Sequence, residues 1–147
     1  MLQPEKLKVL FLCTGNACRS QMAEGWARRL KPERIEPYSA GILASGLDPN
    51  AVKIMAEASV DISGQRSKVV KEVADVPFDY VVTVCGHAHE TCPVVFHNAK
   101  VVHIGFDDPP WITQNAANDE ERMAVYRRVR DEIRDMVANF EERVVKA

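Results

Sequence analysis

The chain has 147 residues, 46% of them hydrophobic and 27% charged, with 19 basic and 21 acidic side chains and a net charge of −2. That length suits one domain, residues 1–147, with a core large enough to stand without disulfide staples. The near-neutral charge gives no electrostatic grounds for nucleic acid or an anionic membrane as partner, and no apolar run approaches the roughly 20 residues of a membrane span.

In chain order, MLQPEKLKVLFLC lacks a long apolar region ending in a small-residue cleavage site, so no secretory signal is read and the cytoplasm is the expected compartment. LKVLFLC (7–13) is an apolar, β-prone run without helical period, as a strand buried on both faces requires. Ser20 opens a helix, SQMAEGWARRL, with Arg28 and Arg29 near its end where the helix dipole favours cations. RIEPYS (34–39) is a weaker strand that Pro37 should interrupt, and DPNAVKIMAEAS (48–59) a helix entered at Pro49. DYVVTVCG (79–86) and KVVHIGF (100–106) are further buried strands. From about Asn118 to Val145 one stripe of Val125, Val129, Ile133, Val137, Phe140 and Val144 predicts a long amphipathic helix. Strands alternating with helices predict an α/β fold, a three-layer sandwich with a central parallel sheet of about four strands flanked by helices.

Ligands of such sheets bind beyond the carboxyl ends of the strands. Three chemically loaded loops lie there: CTGNACRS (13–20), CGHAHETC (85–92) and DDPPW (107–111). In the first, a strand runs into a helix N-terminus, which offers backbone N–H groups without intrahelical partners and the positive end of a dipole. Gly15 is expected to supply a conformation closed to residues with a Cβ. Arg19 brings a planar fork of donors for two oxygens of a tetrahedral oxyanion. Cys13 then sits among donors and a cation that favour its thiolate, with the Ser20 hydroxyl placed to donate to the sulfur. The loop amides from Thr14, Gly15, Asn16, Ala17, Cys18 and Arg19 make the cradle, and Cys13 is the nucleophile at its bottom.

The four cysteines at 13, 18, 85 and 92 fit catalytic, redox or metal-binding use in a reducing compartment. Cys85, His87, His89 and Cys92 also form C-x-H-x-H-x2-C, a candidate zinc set. Four ligands within eight residues would be cramped, and structural zinc sites usually draw pairs from two separated knuckles. His97 and His103 receive no role.

CTGNACRS followed by QMAEGWA resembles the C-x5-R-S active-site loop of the low-molecular-weight protein tyrosine phosphatase superfamily, and more closely the thioredoxin-coupled arsenate reductases built on that fold. The resemblance extends through YSAG (38–41), VDIS (60–63), VVTVC (81–85), GFDDP (105–109) and RVRDEI (128–133). It implies arsenate in the cradle, reduced to arsenite by a three-cysteine relay. Cys13 attacks arsenate, Cys85 attacks Cys13 and releases arsenite, and Cys92 attacks Cys85, moving the disulfide outward to thioredoxin. It also implies that the 85–92 segment rearranges, with Asp108 before Pro109 as general acid and Asp107 the lesser candidate. Cys18 is expected to be loop packing, at most entering an off-pathway disulfide with Cys13. A monomer is expected.

A phosphatase of the same fold, acting on phosphotyrosine or small aryl phosphates, is the alternative, and a zinc-dependent binding module a second. Pro110 and Trp111 stand where the phosphatases place tyrosines, which weakens a phosphotyrosine substrate. Some reductases of this type bind potassium through Asn, Glu, Ser and Asp. Asn16, Glu24 and Ser39 match the first three, but Lys68 replaces the Asp. The expectation is therefore no cofactor, with the Lys68 ammonium in place of the cation, paired with Glu24.

Overall fold

The computed structural model describes residues 5–85 and 98–147. At its centre lies a four-stranded parallel sheet in the order β2–β1–β3–β4. The strands are β1 (Leu7–Cys13), β2 (Ile35–Gly41), β3 (Tyr80–Thr83) and β4 (Lys100–His103). Flanking them are helices α1 (Arg19–Leu30), α2 (Pro49–Glu57), α3 (Pro109–Ile112) and α4 (Asp119–Ala138). The expected α/β sandwich and strand number are observed. No described helix is long and apolar enough to cross a membrane.

The most apolar strand takes the most buried place. Val9, Leu10, Phe11 and Leu12 are wholly buried, with β1 between β2 and β3, which is why the run shows no polar alternation. Pro37 does not break β2, which pairs from Leu7↔Ile35 to Cys13↔Gly41. β2 is an edge strand, paired within the sheet to β1 alone and joined by its backbone to the 68–69 segment at Gly41; at such an edge only alternate N–H groups serve the ladder, so a residue without one is accommodated. The two later strands are shorter than expected, yet single bonds prolong their pairing: Ile104 N–H donates to Thr83 O (2.9 Å) and Phe106 N–H to Val84 O (3.0 Å).

α1 begins at Arg19, one residue before Ser20. Asp48 caps α2, its Oδ1 accepting from Asn50 N–H at 2.9 Å. Asn118 caps α4, with Asp119, Glu120 and Glu121 in the first turn where the dipole favours anions. The stripe of α4 is offset from the expected one: Met123 and Tyr126 are buried, while Val125 is only partly so. Phe140, just before a π-helical turn Glu141–Val145, and Val144 within it continue the stripe beyond the α-helix. Neither α3 nor the 3₁₀ turn Val70–Val73 was expected from periodicity; each is a single turn, too short to show one.

Register gathers the chemistry. β1 ends at Cys13 beside Gly41 of β2, and Val84 N–H donates to Leu12 O (2.9 Å), so Cys85 emerges at the same sheet edge.

Candidate active site

Beyond that edge is a cavity of about 260 Å³ lined by Cys13, Thr14, Gly15, Ala17, Cys18, Arg19, Ser45, Asp108 and Pro110. Two of the three loops singled out in the sequence, 13–20 and 107–111, thus share one cavity. From the third, Cys85 is described and buried; its Sγ lies 3.3 Å from Thr14 Oγ1. Cys92, His87, His89 and His97 lie outside the described residues, so the second resolving thiol and the zinc set have no structural account. Among the described residues no cluster of His, Cys, Asp and Glu is fit to hold a metal.

Cys13 is 2% exposed and its Sγ lies 2.8 Å from Ser20 Oγ. Who donates follows from the groups behind. Lys68 backbone N–H donates to Asn16 Oδ1 (2.9 Å), as does Gln21 Nε2 (3.0 Å). The backbone N–H can only donate, so the Asn16 amide nitrogen must face the other way, and it donates to Ser20 Oγ at 2.8 Å. With a lone pair of Ser20 engaged, its hydroxyl proton is free for the sulfur. The chain Lys68–Asn16–Ser20–Cys13 therefore points donors toward Cys13, each bond polarising the next.

The expectation for Gly15 needs correcting. The left-handed residue of the loop is Asn16, with φ 49°, and Asn tolerates that region because its side chain bonds locally. Gly15 is favoured by space: a Cβ there would stand 2.7 Å from Ser45 Oγ and 3.1 Å from Ser45 Cβ, so that the serine side chain would have to shift. Gly41 is tighter, since a Cβ would meet Leu43 O at 2.6 Å and both Asn16 N and Thr14 O at 2.7 Å.

Leu43 and Ser45 belong to the 43–48 segment, a strap along the back of the loop. Leu43 N–H donates to Thr14 O, Ser45 N–H to Gly15 O and Asp48 N–H to Ala17 O, each at 2.9 Å. In a planar trans peptide the N–H opposes the preceding carbonyl. Fixing these three carbonyls on the strap turns the N–H groups of Gly15, Asn16 and Cys18 away from it. Successive N–H groups around an αL residue form an anion-binding concavity.

Arg19, 8% exposed, donates from Nη1 to Phe106 O (3.0 Å), and its Nη2 is 3.5 Å from Asp108 Oδ2. Its Nε is buried and has no partner among the described residues, a donor that a bound oxyanion would satisfy. Asp107 turns outward to Arg128 of α4, accepting from Nη2 at 3.0 Å. Burial, then the charges of Asp48, Asp108 and Cys13, push the Cys18 thiol up. Cys18 thus stays a protonated packing group.

Lys68, expected to pair with Glu24, has different hydrogen-bond partners. Its Nζ donates to Ser39 O (2.9 Å) and Arg66 O (2.8 Å). Glu24 instead accepts from Ser39 Oγ (2.5 Å) and Arg28 Nη2 (2.8 Å). Burial pulls the Lys68 ammonium down from the usual lysine range, while the Glu24 charge opposes that pull. An ammonium already on these carbonyls leaves the residue set ill-suited to potassium.

Sequence reasoning missed Gln21, Ser45, Asp48 and Tyr126. Gln21 carried no signal, standing between the polar Arg19–Ser20 pair and Glu24; it is wholly buried and holds the Asn16 carbonyl and side chain. The others act across long sequence separations that no local pattern reveals.

Residues 8–147 match the family described as low molecular weight phosphotyrosine protein phosphatase. The protein named arsenate reductase of Halalkalibacterium halodurans is 49% identical over 137 residues, covering 93% of this chain and 96% of the relative. That of Bacillus subtilis is 47% identical over 134 residues, covering 91% and 94%. A solved structure described as an arsenate reductase in the phosphate binding state superposes with a TM-score of 0.77 at 32% identity, covering 94% of this chain and 98% of its own.

Proposed function

This chain belongs to the low molecular weight phosphotyrosine protein phosphatase family, and within it we propose an arsenate reductase working through a three-thiol relay re-reduced by thioredoxin. The observation that carries this is Cys85: beyond Cys13 and Cys18, a further buried thiol, just after β3, stands 3.3 Å from Oγ1 of Thr14, the residue next to Cys13. Phosphate ester hydrolysis has no use for it, whereas a two-electron reduction has.

In the first step the cradle amides and Arg19 hold arsenate while the Cys13 thiolate attacks arsenic. An As–O bond breaks, Asp108 delivers a proton to the departing oxygen, and water leaves a Cys13–arsenic(V) adduct. The Cys85 thiolate then attacks Cys13 Sγ. The S–As bond breaks with its electron pair passing to arsenic, so arsenite departs as As(III) and a Cys13–Cys85 disulfide remains. Cys92 attacks Cys85 and expels the Cys13 thiolate, which the Ser20 hydroxyl and the loop dipole receive. The dithiol of thioredoxin reduces the resulting Cys85–Cys92 bridge. We propose further that the Lys68 ammonium makes turnover independent of potassium, and that the protein acts as a cytoplasmic monomer.

Cys85→Ser is the test. The variant should keep hydrolysing p-nitrophenyl phosphate, a side activity of the shared cradle, while producing no arsenite beyond background. Arsenite formation at the wild-type rate would end the relay assignment.

A further inference from the structure

Tyr126 lies on α4, 78 residues from its partner in sequence, and is 2% exposed. Its ring belongs to the core, but its hydroxyl donates to Asp48 Oδ2 at 2.7 Å. Asp48 is fully engaged: Oδ1 caps α2 through Asn50 N–H (2.9 Å), and its own N–H holds Ala17 O (2.9 Å). Asp48 is thus the last post of the strap, where α2, α4 and the cradle loop meet. The strap's other attachments to the loop are the N–H groups of Leu43 and Ser45, with Gly46 N–H also bonded to Ser67 Oγ (3.1 Å).

We propose that Tyr126 is a positioning residue for oxyanion capture: its hydroxyl fixes Asp48, and Asp48 fixes the Ala17 carbonyl, setting the direction of the Cys18 N–H in the cradle. The proposal rests on the oxyanion reading of the cradle. Without the hydroxyl, the Asp48 carboxylate loses a charge-assisted partner in a half-buried place and shifts toward solvent. The peptide between Ala17 and Cys18 is then free to rotate, and one donor to the oxyanion is misaimed. Arg19, Ser20 and Cys13 keep their own partners, so the loss falls on binding rather than on the thiol steps.

Tyr126→Phe removes the hydroxyl and keeps the ring. Inorganic phosphate serves as the probe, its dissociation constant read by calorimetry on the full chain with all cysteines reduced. The expected result is an affinity loss of about three- to tenfold, as for part of one hydrogen bond to a charged group, with the KM for arsenate rising alongside and kcat little changed. Asp48→Asn should give a similar loss, and the double variant no more than either single, because both act through one bond. Arg127→Ala supplies the control: it breaks the Arg127–Glu57 pair between α4 and α2 (2.9 Å) without touching the strap. Equal phosphate affinity in wild type and Tyr126→Phe, with only a lower melting temperature like that of Arg127→Ala, would overturn the proposal. No phosphate binding by the wild type would overturn the oxyanion reading itself, and this proposal with it.

Discussion

On its back the 13–20 loop is tied at one acceptor after another: the carbonyls of Thr14, Gly15 and Ala17 to the strap, and Asn16 to Lys68 and Gln21. On the other side, among the described residues, the nucleophile has a hydrogen-bond contact to Ser20 Oγ, and the Arg19 Nε has no partner. The contrast teaches how a reactive surface is kept available. Donors pointing into the cavity need not be buried without partners elsewhere, because the opposite ends of the same peptides are saturated. The loop is preorganised by bonds that take no part in the chemistry, as electrostatic stabilisation requires.

The cavity side breaks with the largest effect. Asp108→Asn keeps the shape of the Arg19 neighbour but cannot give up a proton, and should slow arsenate turnover by about 10²–10⁴-fold. Steady-state rates measure it; a loss below tenfold would move the acid elsewhere.

Gly41→Ala strikes the back without altering a functional group. The added Cβ meets three backbone atoms within 2.7 Å, none able to swing aside as a side-chain end would. The strap and loop should part, costing about 1–3 kcal/mol of stability by overpacking and weakening phosphate binding together. Unfolding and calorimetry read the two; stability lost with affinity intact would show that the back does not set the front.

A pH series sharpens the role of the strap's anchor. Burial, then the bond to Asp48, push the Tyr126 phenol well up from its ordinary value. Above about pH 10 the unfolded chain loses this proton while the folded chain keeps it. Stability present below that pH is therefore lost as pH rises through it. Tyr38, pushed up to about 12 first by its bond to Glu36 and then by burial, has the same sign and is common to both proteins. Tyr126→Phe should lose less stability than wild type above pH 10; equal slopes would contradict the assignment.

The smallest effect is expected at Lys68, also on the back. Exchanging Na⁺ for K⁺ at fixed ionic strength should leave the rate within about twofold, since an ammonium already holds the Ser39 and Arg66 carbonyls. A several-fold gain specific to potassium would refute this.

Much of the cavity side was legible in the sequence. A β-run, a glycine-bearing loop and a helix start place Cys13, Arg19 and Ser20 by local rules, and the Asp108–Pro109 pair follows from resemblance. The back was not. Ser45, Asp48 and Tyr126 meet the loop through a segment without helical or strand period, and through contacts up to 78 residues apart in sequence. Gly15 shows the limit of a local rule: it has no positive φ, and what crowds a side chain there is Ser45, 30 positions away by number. For Lys68 the expected partner was the carboxylate of Glu24, but burial between two backbone carbonyls decided otherwise.

The central claim is that Cys13 and the second thiol pair form one electron path. NADPH consumption with thioredoxin and thioredoxin reductase, followed before and after adding arsenate, tests it most directly. The account predicts many turnovers by wild type and a single one by Cys92→Ser, which should stop as a Cys13–Cys85 disulfide. Undiminished turnover by Cys92→Ser, or no consumption beside brisk aryl phosphate hydrolysis, would contradict it.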